Sequence, residues 1–276
     1  MVTASVDTEL KQIYIGTTNA LSPPVGDLTA SLLSIDYRTG DLIWSHQYTK
    51  NALWGLSYPC GKDYDVGASP NNFRIERFFF SPKQVVGVGS KAGIYRVFDR
   101  NSGYPIWSAK MIPDDQYISI NGNPSAAVGD DTIFTIANYD TSGLPLNVYN
   151  MYLVMSGQGV QPQAFGQFLA SFSTYDNTMI RALDKKSGAI KWSNNLIGST
   201  PASITLANEV LYTGNFNGIF RAISASTGAE LFSDYLGAPI SSPVTVVNGK
   251  AVVVTGIMGS DFTQTGGTVR VYGLAP

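Results

Sequence analysis

Short runs of alternating apolar and polar residues, separated by turn residues, recur along the chain, and helical periodicity is nowhere sustained. Four of these runs lead into one shared phrase: a strand, then Asp, two residues, Ser or Thr, Gly, three residues and Trp. Asp36, Thr39, Gly40 and Trp44 carry the first copy, and Asp99, Ser102, Gly103 and Trp107 the second. Asp184, Ser187, Gly188 and Trp192 carry the third, while Ser224, Thr227, Gly228 and Phe232 carry a variant fourth. The phrase has a mechanism. Asp can accept backbone N–H bonds within a turn, and Gly supplies the positive φ of a tight reversal. The strand then resumes, and its Trp can pack between sheets while its N–H finds an acceptor. Each phrase therefore predicts the third and fourth strands of a small antiparallel sheet, with another strand pair upstream. For the fourth copy that pair is 202–207 and 209–213, followed by a turn over 214–218 and a third strand over 219–223.

Four-stranded repeats joined by turn signals predict an all-β fold, a β-propeller. Five blades are expected, near residues 2–48, 66–111, 122–195, 199–235 and 238–276, the last ending after three strands. Residues 1–276 are read as a single, partial propeller domain with an insert at 141–177 inside the third blade. An insert of that length is a lid, an interaction element or disorder, and its Tyr and Phe content argues against plain disorder. Trp44, Trp107 and Trp192 are expected to be buried between blades.

Composition narrows the function classes. Charged residues are 14% of the 276, against an ordinary value of about 25%, while the aromatic share of 12% argues against disorder. The net charge is -2 and no basic cluster exceeds Lys185 and Lys186, which excludes a nucleic-acid partner. No apolar run reaches about 18 residues, so no membrane span is expected. The first residues show no signal-peptide pattern, yet a surface of neutral polar residues suits an extracellular or periplasmic protein. Cys60 stands alone, so no internal disulfide forms, and the single His46 reads as an outer-strand polar residue rather than a catalytic or metal-binding one. The glycine run 87–93 is one residue too long for a dinucleotide fingerprint, and Gly55, Gly61 and Lys62 miss the P-loop spacing. Phe78, Phe79 and Phe80 read as strand core or an exposed edge.

The repeated phrase resembles the tryptophan-docking motif of quinoprotein propellers, which bind pyrroloquinoline quinone; scaffold propellers that bind no quinone share it. The stretch from Ile13 to Asn19 resembles the strand and Thr-Gly-Asn of quinoprotein alcohol dehydrogenases, with Thr18 in place of Gly. Residues 63–73, beginning Asp63, Tyr64, Asp65, are similar to a segment of polyvinyl-alcohol-dehydrogenase-like members, and so is the stretch from Gly89 through Lys91 to Tyr95. The resemblance spans most of the chain outside the insert. Since such propellers have about eight blades, it implies that missing N-terminal blades or other subunits accompany these five, with a compact five-bladed ring as the alternative.

The resemblance also implies a site. In these enzymes the quinone lies over the propeller axis, with Ca²⁺ bridging it to an Asn, a Glu and a catalytic Asp. The matching positions are Asn19 as metal and cofactor ligand, Asp63 as metal ligand and catalytic base, and Lys91 as the cation beside the quinone. Ca²⁺ takes neutral and anionic oxygens, a carboxylate can accept the alcohol proton, and a cation stabilises charge developing on the quinone oxygens. The Glu and a stacking Trp come from earlier blades, so this chain holds part of a site. Singly, each residue has a plainer reading: Asn19 as a turn cap, Asp63 as a loop residue, Lys91 as a solvated hairpin position. Two functions follow as expectations. One is alcohol oxidation dependent on pyrroloquinoline quinone and Ca²⁺, with an unknown electron acceptor. The other is a non-catalytic propeller serving extracellular assembly or ligand binding.

Overall fold

All four phrases close the same turn. Asp36 Oδ1 accepts the Arg38 N–H at 2.8 Å, and Asp99 Oδ1 those of Asn101 and Ser102 at 3.0 and 3.1 Å. Asp184 Oδ1 accepts from Lys186 and Ser187 at 3.1 and 2.9 Å, while Ser224 Oγ does the same for Thr227 at 3.3 Å. The glycines that follow take φ between 68° and 80°, the left-handed region that a side chain would strain. Each turn is followed by a one-residue register shift beside the Trp or Phe position, which re-aims the outer strand.

This computed structural model describes residues 3–54, 64–77, 81–114, 117–118, 124–140, 176–256 and 267–273. Among them there is no helix, hence none long and apolar enough to cross a membrane. The first sheet is β1 (Ser5–Asp7), β2 (Gln12–Gly16), β3 (Ser31–Asp36) and β4 (Leu42–Gln47). The second is β5 (Asn71–Ile75), β6 (Lys83–Ser90), β7 (Ile94–Asp99) and β8 (Pro105–Lys110). In the third, β10 (Ala127–Val128), β11 (Thr132–Asp140), β12 (Asp176–Asp184) and β13 (Ile190–Ile197) are joined by β9 (Tyr117–Ile118). The fourth is β14 (Thr205–Ala207), β15 (Val210–Gly214), β16 (Ile219–Ser224) and β17 (Glu230–Tyr235). The fifth holds β18 (Thr245–Val247), β19 (Lys250–Val254) and β20 (Val269–Gly273). Each sheet is an antiparallel meander in chain order, as expected of propeller blades, except that β9 adds a fifth strand against the far end of β11. Residues 141–175, nearly all of the expected insert, lie outside the described residues, as do Cys60 and Phe78 to Phe80.

The first strands β1, β5, β10, β14 and β18 neighbour one another in series, so they are innermost. The core lies in four slabs between consecutive sheets. Tryptophan docks the first three slabs at their rims, and Phe232 takes that place in the fourth. A Cβ on Gly103 would sit 2.6 Å from the Trp44 ring, one on Gly188 2.6 Å from Trp107, and one on Gly228 2.7 Å from Trp192. The phrase glycine therefore serves twice, allowing the turn and offering a bare surface to the preceding blade's ring. Trp44 Nε1 donates to Arg100 O and Trp192 Nε1 to Ala225 O, both at 3.0 Å. The rings do lie between blades, but they are half-buried rather than buried, because they stand on outer strands whose far edge meets solvent.

The first slab departs from the plain apolar pattern in two ways. His46 faces the second sheet, with its ring 4.7 Å from Phe98 and edge-on to Tyr48. Burial, reinforced by the nearby Arg96 charge, holds its pKa below the ordinary value, so this is an interface residue and not a solvated one. Beneath it, Arg100 reaches from the second sheet to Asp7 at 2.8 Å, with side-chain exposures of 8% and 2%. Gln84 Oε1 accepts from the same guanidinium, and the Tyr14 hydroxyl donates to Gln12 Oε1 at 2.9 Å. Burial and the Asp7 charge push the Tyr14 hydroxyl well above its usual pKa.

Candidate functional site

Every second strand runs toward the same end of its sheet, so the connections after β2, β6, β15 and β19 gather at one end of the fold. Asn19 lies just after β2 and is buried at 5% exposure. Its neighbour Ala20 donates to Ala52 O at 2.9 Å and accepts from Trp54 N at 3.0 Å, which pins this connection to residues 52–54. Lys91 opens the turn between β6 and β7.

One short segment links the two. Val66 N donates to Thr17 O at 3.1 Å, and Lys91 N donates to Asp65 O at 2.8 Å, so residues 65–66 are clamped between the end of β2 and the β6–β7 turn. The clamp places Lys91 Nζ 3.2 Å from Asp65 Oδ2, with side-chain exposures of only 16% and 14%. Gly67 leaves room in front of this pair: a Cβ there would lie 3.3 Å from Asp65 Oδ1 and 3.9 Å from Lys91 Cε.

The backbone frame is repeated elsewhere without the charges. In the fourth blade Phe216 N donates to Ser199 O at 3.0 Å, and in the fifth Gly256 N donates to Pro239 O at 2.7 Å. Ser199 and Pro239 thus stand where Asp65 stands, and Phe216 and Gly256 where Lys91 stands. A repeated scaffold that carries an ion pair at one junction and neutral residues at two others marks that junction as a place for chemistry.

Of the three residues expected from sequence, Lys91 meets residue 65 directly and Asn19 lies two positions beyond Thr17, which binds Val66, while Asp63 lies outside the described residues. The carboxylate that meets Lys91 is that of Asp65, which sequence reasoning passed over. The two acids are two positions apart in one short segment, and the sequence pattern does not choose between them. Among the described residues, no three of His, Cys, Asp and Glu are grouped to hold a metal. An amide oxygen, as on Asn19, and a carboxylate, as on Asp65, are the hard oxygen donors that Ca²⁺ takes, and a side chain on Gly67 would crowd the Asp65 carboxylate.

Successive antiparallel sheets docked Trp on Gly, with their chemistry carried by the connecting loops, define a β-propeller with a loop-end site. Comparison with known proteins shows what the chain is similar to. Residues 2–121 match the glucose/ethanol/alcohol dehydrogenase β-propeller domain, and residues 176–272 match the outer membrane protein assembly factor BamB family. Polyvinylalcohol dehydrogenase of Sphingopyxis sp. is 25% identical over 98% of this chain and 40% of its own length. A quinoprotein alcohol dehydrogenase of Pseudomonas putida is 22% identical over 78% of the chain and 38% of its own. The crystal structure of quinohemoprotein alcohol dehydrogenase from Comamonas testosteroni shares the fold with a TM-score of 0.65 at 18% identity, over 99% of this chain and 48% of that one. The chain is thus a β-propeller whose first part is similar to the alcohol dehydrogenase propeller domain, and it spans about 40% of the length of the curated relatives it matches.

Proposed function

We propose that the complete protein oxidises an alcohol with pyrroloquinoline quinone and Ca²⁺, and that this chain contributes one wall of the site. The ion pair of Asp65 and Lys91 on an otherwise neutral repeated frame carries the reading. The cofactor supplies a two-electron acceptor for the hydride, and the metal polarises the alcohol oxygen. Asp65 would accept the proton of the substrate hydroxyl. The Lys91 ammonium is paired with the Asp65 carboxylate and would offer its remaining N–H donors to anionic oxygens of the quinone. Asn19 presents its amide oxygen to the metal.

The test is thermal unfolding of the complete protein. Ligands that bind only the native state stabilise by mass action, about 2.7 kcal/mol at a hundredfold excess over Kd. Quinone plus Ca²⁺ should raise the melting temperature and a chelator should reverse the rise; an unchanged melting temperature with both in excess overturns the reading.

A second reading, a non-catalytic scaffold, is favoured by the match of residues 176–272 to an assembly factor family. The end sheets bear on both readings. Val6 on the first sheet and Val247, Val254, Val269 and Val271 on the fifth are 46–65% exposed, and the register places the four fifth-sheet valines on the side away from the fourth. Apolar faces of this kind are rarely left open by monomers. Further sheets of the same kind, or other subunits, cover them in this proposal. A stable 29.6 kDa monomer in sedimentation would overturn it. The low charge of the chain, 14% Asp, Glu, Lys and Arg, also suits a protein outside the cytoplasm, which cell fractionation would check.

A further inference from the structure

We infer that Gly16 is a positioning residue for the Asp65–Lys91 pair: its missing side chain lets residues 65–66 close onto β2, and that closure sets Asp65 against Lys91. The inference rests on the proposed role of this pair, but its geometry stands apart from any cofactor. A Cβ at Gly16 would lie 2.2 Å from the Val66 carbonyl oxygen and 2.8 Å from Val66 Cγ1. The first of these is backbone, so no side-chain rotation relieves the clash, and the segment itself must move. Val66 is held on the β2 side by the Thr17 carbonyl and Asp65 on the far side by the Lys91 amide. Lifting Val66 off β2 therefore displaces the residue that bears the carboxylate. No sequence pattern assigns Gly16 this task, because its backbone is ordinary strand and a strand glycine is usually read as a bulge or a weak point.

The repeated frame supplies an internal control. Gly214 ends β15 as Gly16 ends β2, a Cβ there would lie 2.4 Å from Ile240 Cγ2, and Ile240 N donates to Asn215 O at 3.0 Å. The corresponding positions at that junction are Pro239 and Gly256, which carry no charge. Gly16→Ala and Gly214→Ala both crowd a blade junction, but only the first disturbs an ion pair.

The experiment follows the side-chain ammonium resonance of Lys91 by NMR in the cofactor-free protein, with Asp65→Asn as the reference for a lost pair. Gly16→Ala should move the resonance toward its Asp65→Asn position, while Gly214→Ala should leave it at the wild-type position despite a lowered melting temperature. An unmoved resonance in Gly16→Ala, or equal movement in both glycine variants, overturns the inference. If Gly16→Ala does not fold, native-state hydrogen exchange of the wild-type protein decides. The Val66 and Lys91 amides should open together as one clamp, and independent opening overturns the assignment. Neither readout needs quinone, so absence of quinone binding would remove the proposed function and leave this result intact.

Discussion

Asp65→Asn should lower quinone-dependent alcohol oxidation by the complete protein about 10²–10⁴-fold, the usual contribution of a positioned general base. The substitution keeps the shape of the side chain and removes its ability to take a proton. Because Asp65 is paired with Lys91 at 3.2 Å and both are largely shielded, the same change leaves the Lys91 ammonium without its carboxylate, and quinone affinity should change as well. Asp63→Asn is the informative companion. Sequence resemblance points to Asp63, whereas the Lys91 contact points to Asp65. Steady-state turnover of the two variants, beside a binding titration, separates them. Near-normal turnover in Asp65→Asn with a collapse in Asp63→Asn would return the base role to Asp63.

The largest stability effect is expected far from that site. Asp7→Ala should destabilise the fold by about 3–5 kcal/mol, because it strands the Arg100 guanidinium in a buried slab. Arg100 is 8% exposed at its side chain and Asp7 2%, and the other acidic partner, Glu9, is 62% exposed at 3.5 Å, too solvated to compensate. The network reaches further, since the Arg100 carbonyl accepts the Trp44 indole N–H and Gln12 Oε1 accepts from Tyr14 and Ser34. Replacing both partners by apolar residues, Asp7→Leu with Arg100→Met, should recover much of the loss, as apolar substitutes for buried pairs commonly do. Urea unfolding of the three variants checks this. A loss below about 1 kcal/mol in Asp7→Ala would place the pair in the class of surface ion pairs instead.

The architecture was legible because its instructions are local. Asp, Ser or Thr, and Gly at fixed offsets act on backbone N–H groups within three residues and on the φ of a single residue, so the turns at Asp36, Asp99 and Asp184 follow from sequence. The change to Ser224 preserves the turn because a hydroxyl accepts the same bond, if at a longer 3.3 Å. Periodicity between these turns then determined the strands and their order.

What joins one blade to the next was decided by tertiary structure, since it depends on groups far apart in the chain. Trp44 meets Gly103 and Arg100 across the first slab, and Arg100 meets Asp7 across 93 positions, a pairing that no spacing rule encodes. His46 looked like an outer polar residue until the second sheet was packed against it. The candidate site shows the same division. Sequence resemblance pointed to Asn19, Asp63 and Lys91. Choosing Asp65 as the partner of Lys91 required the fold: hydrogen bonds to Thr17 and Lys91 clamp residues 65–66 from both sides, and the bare Cα of Gly16 lets that clamp close.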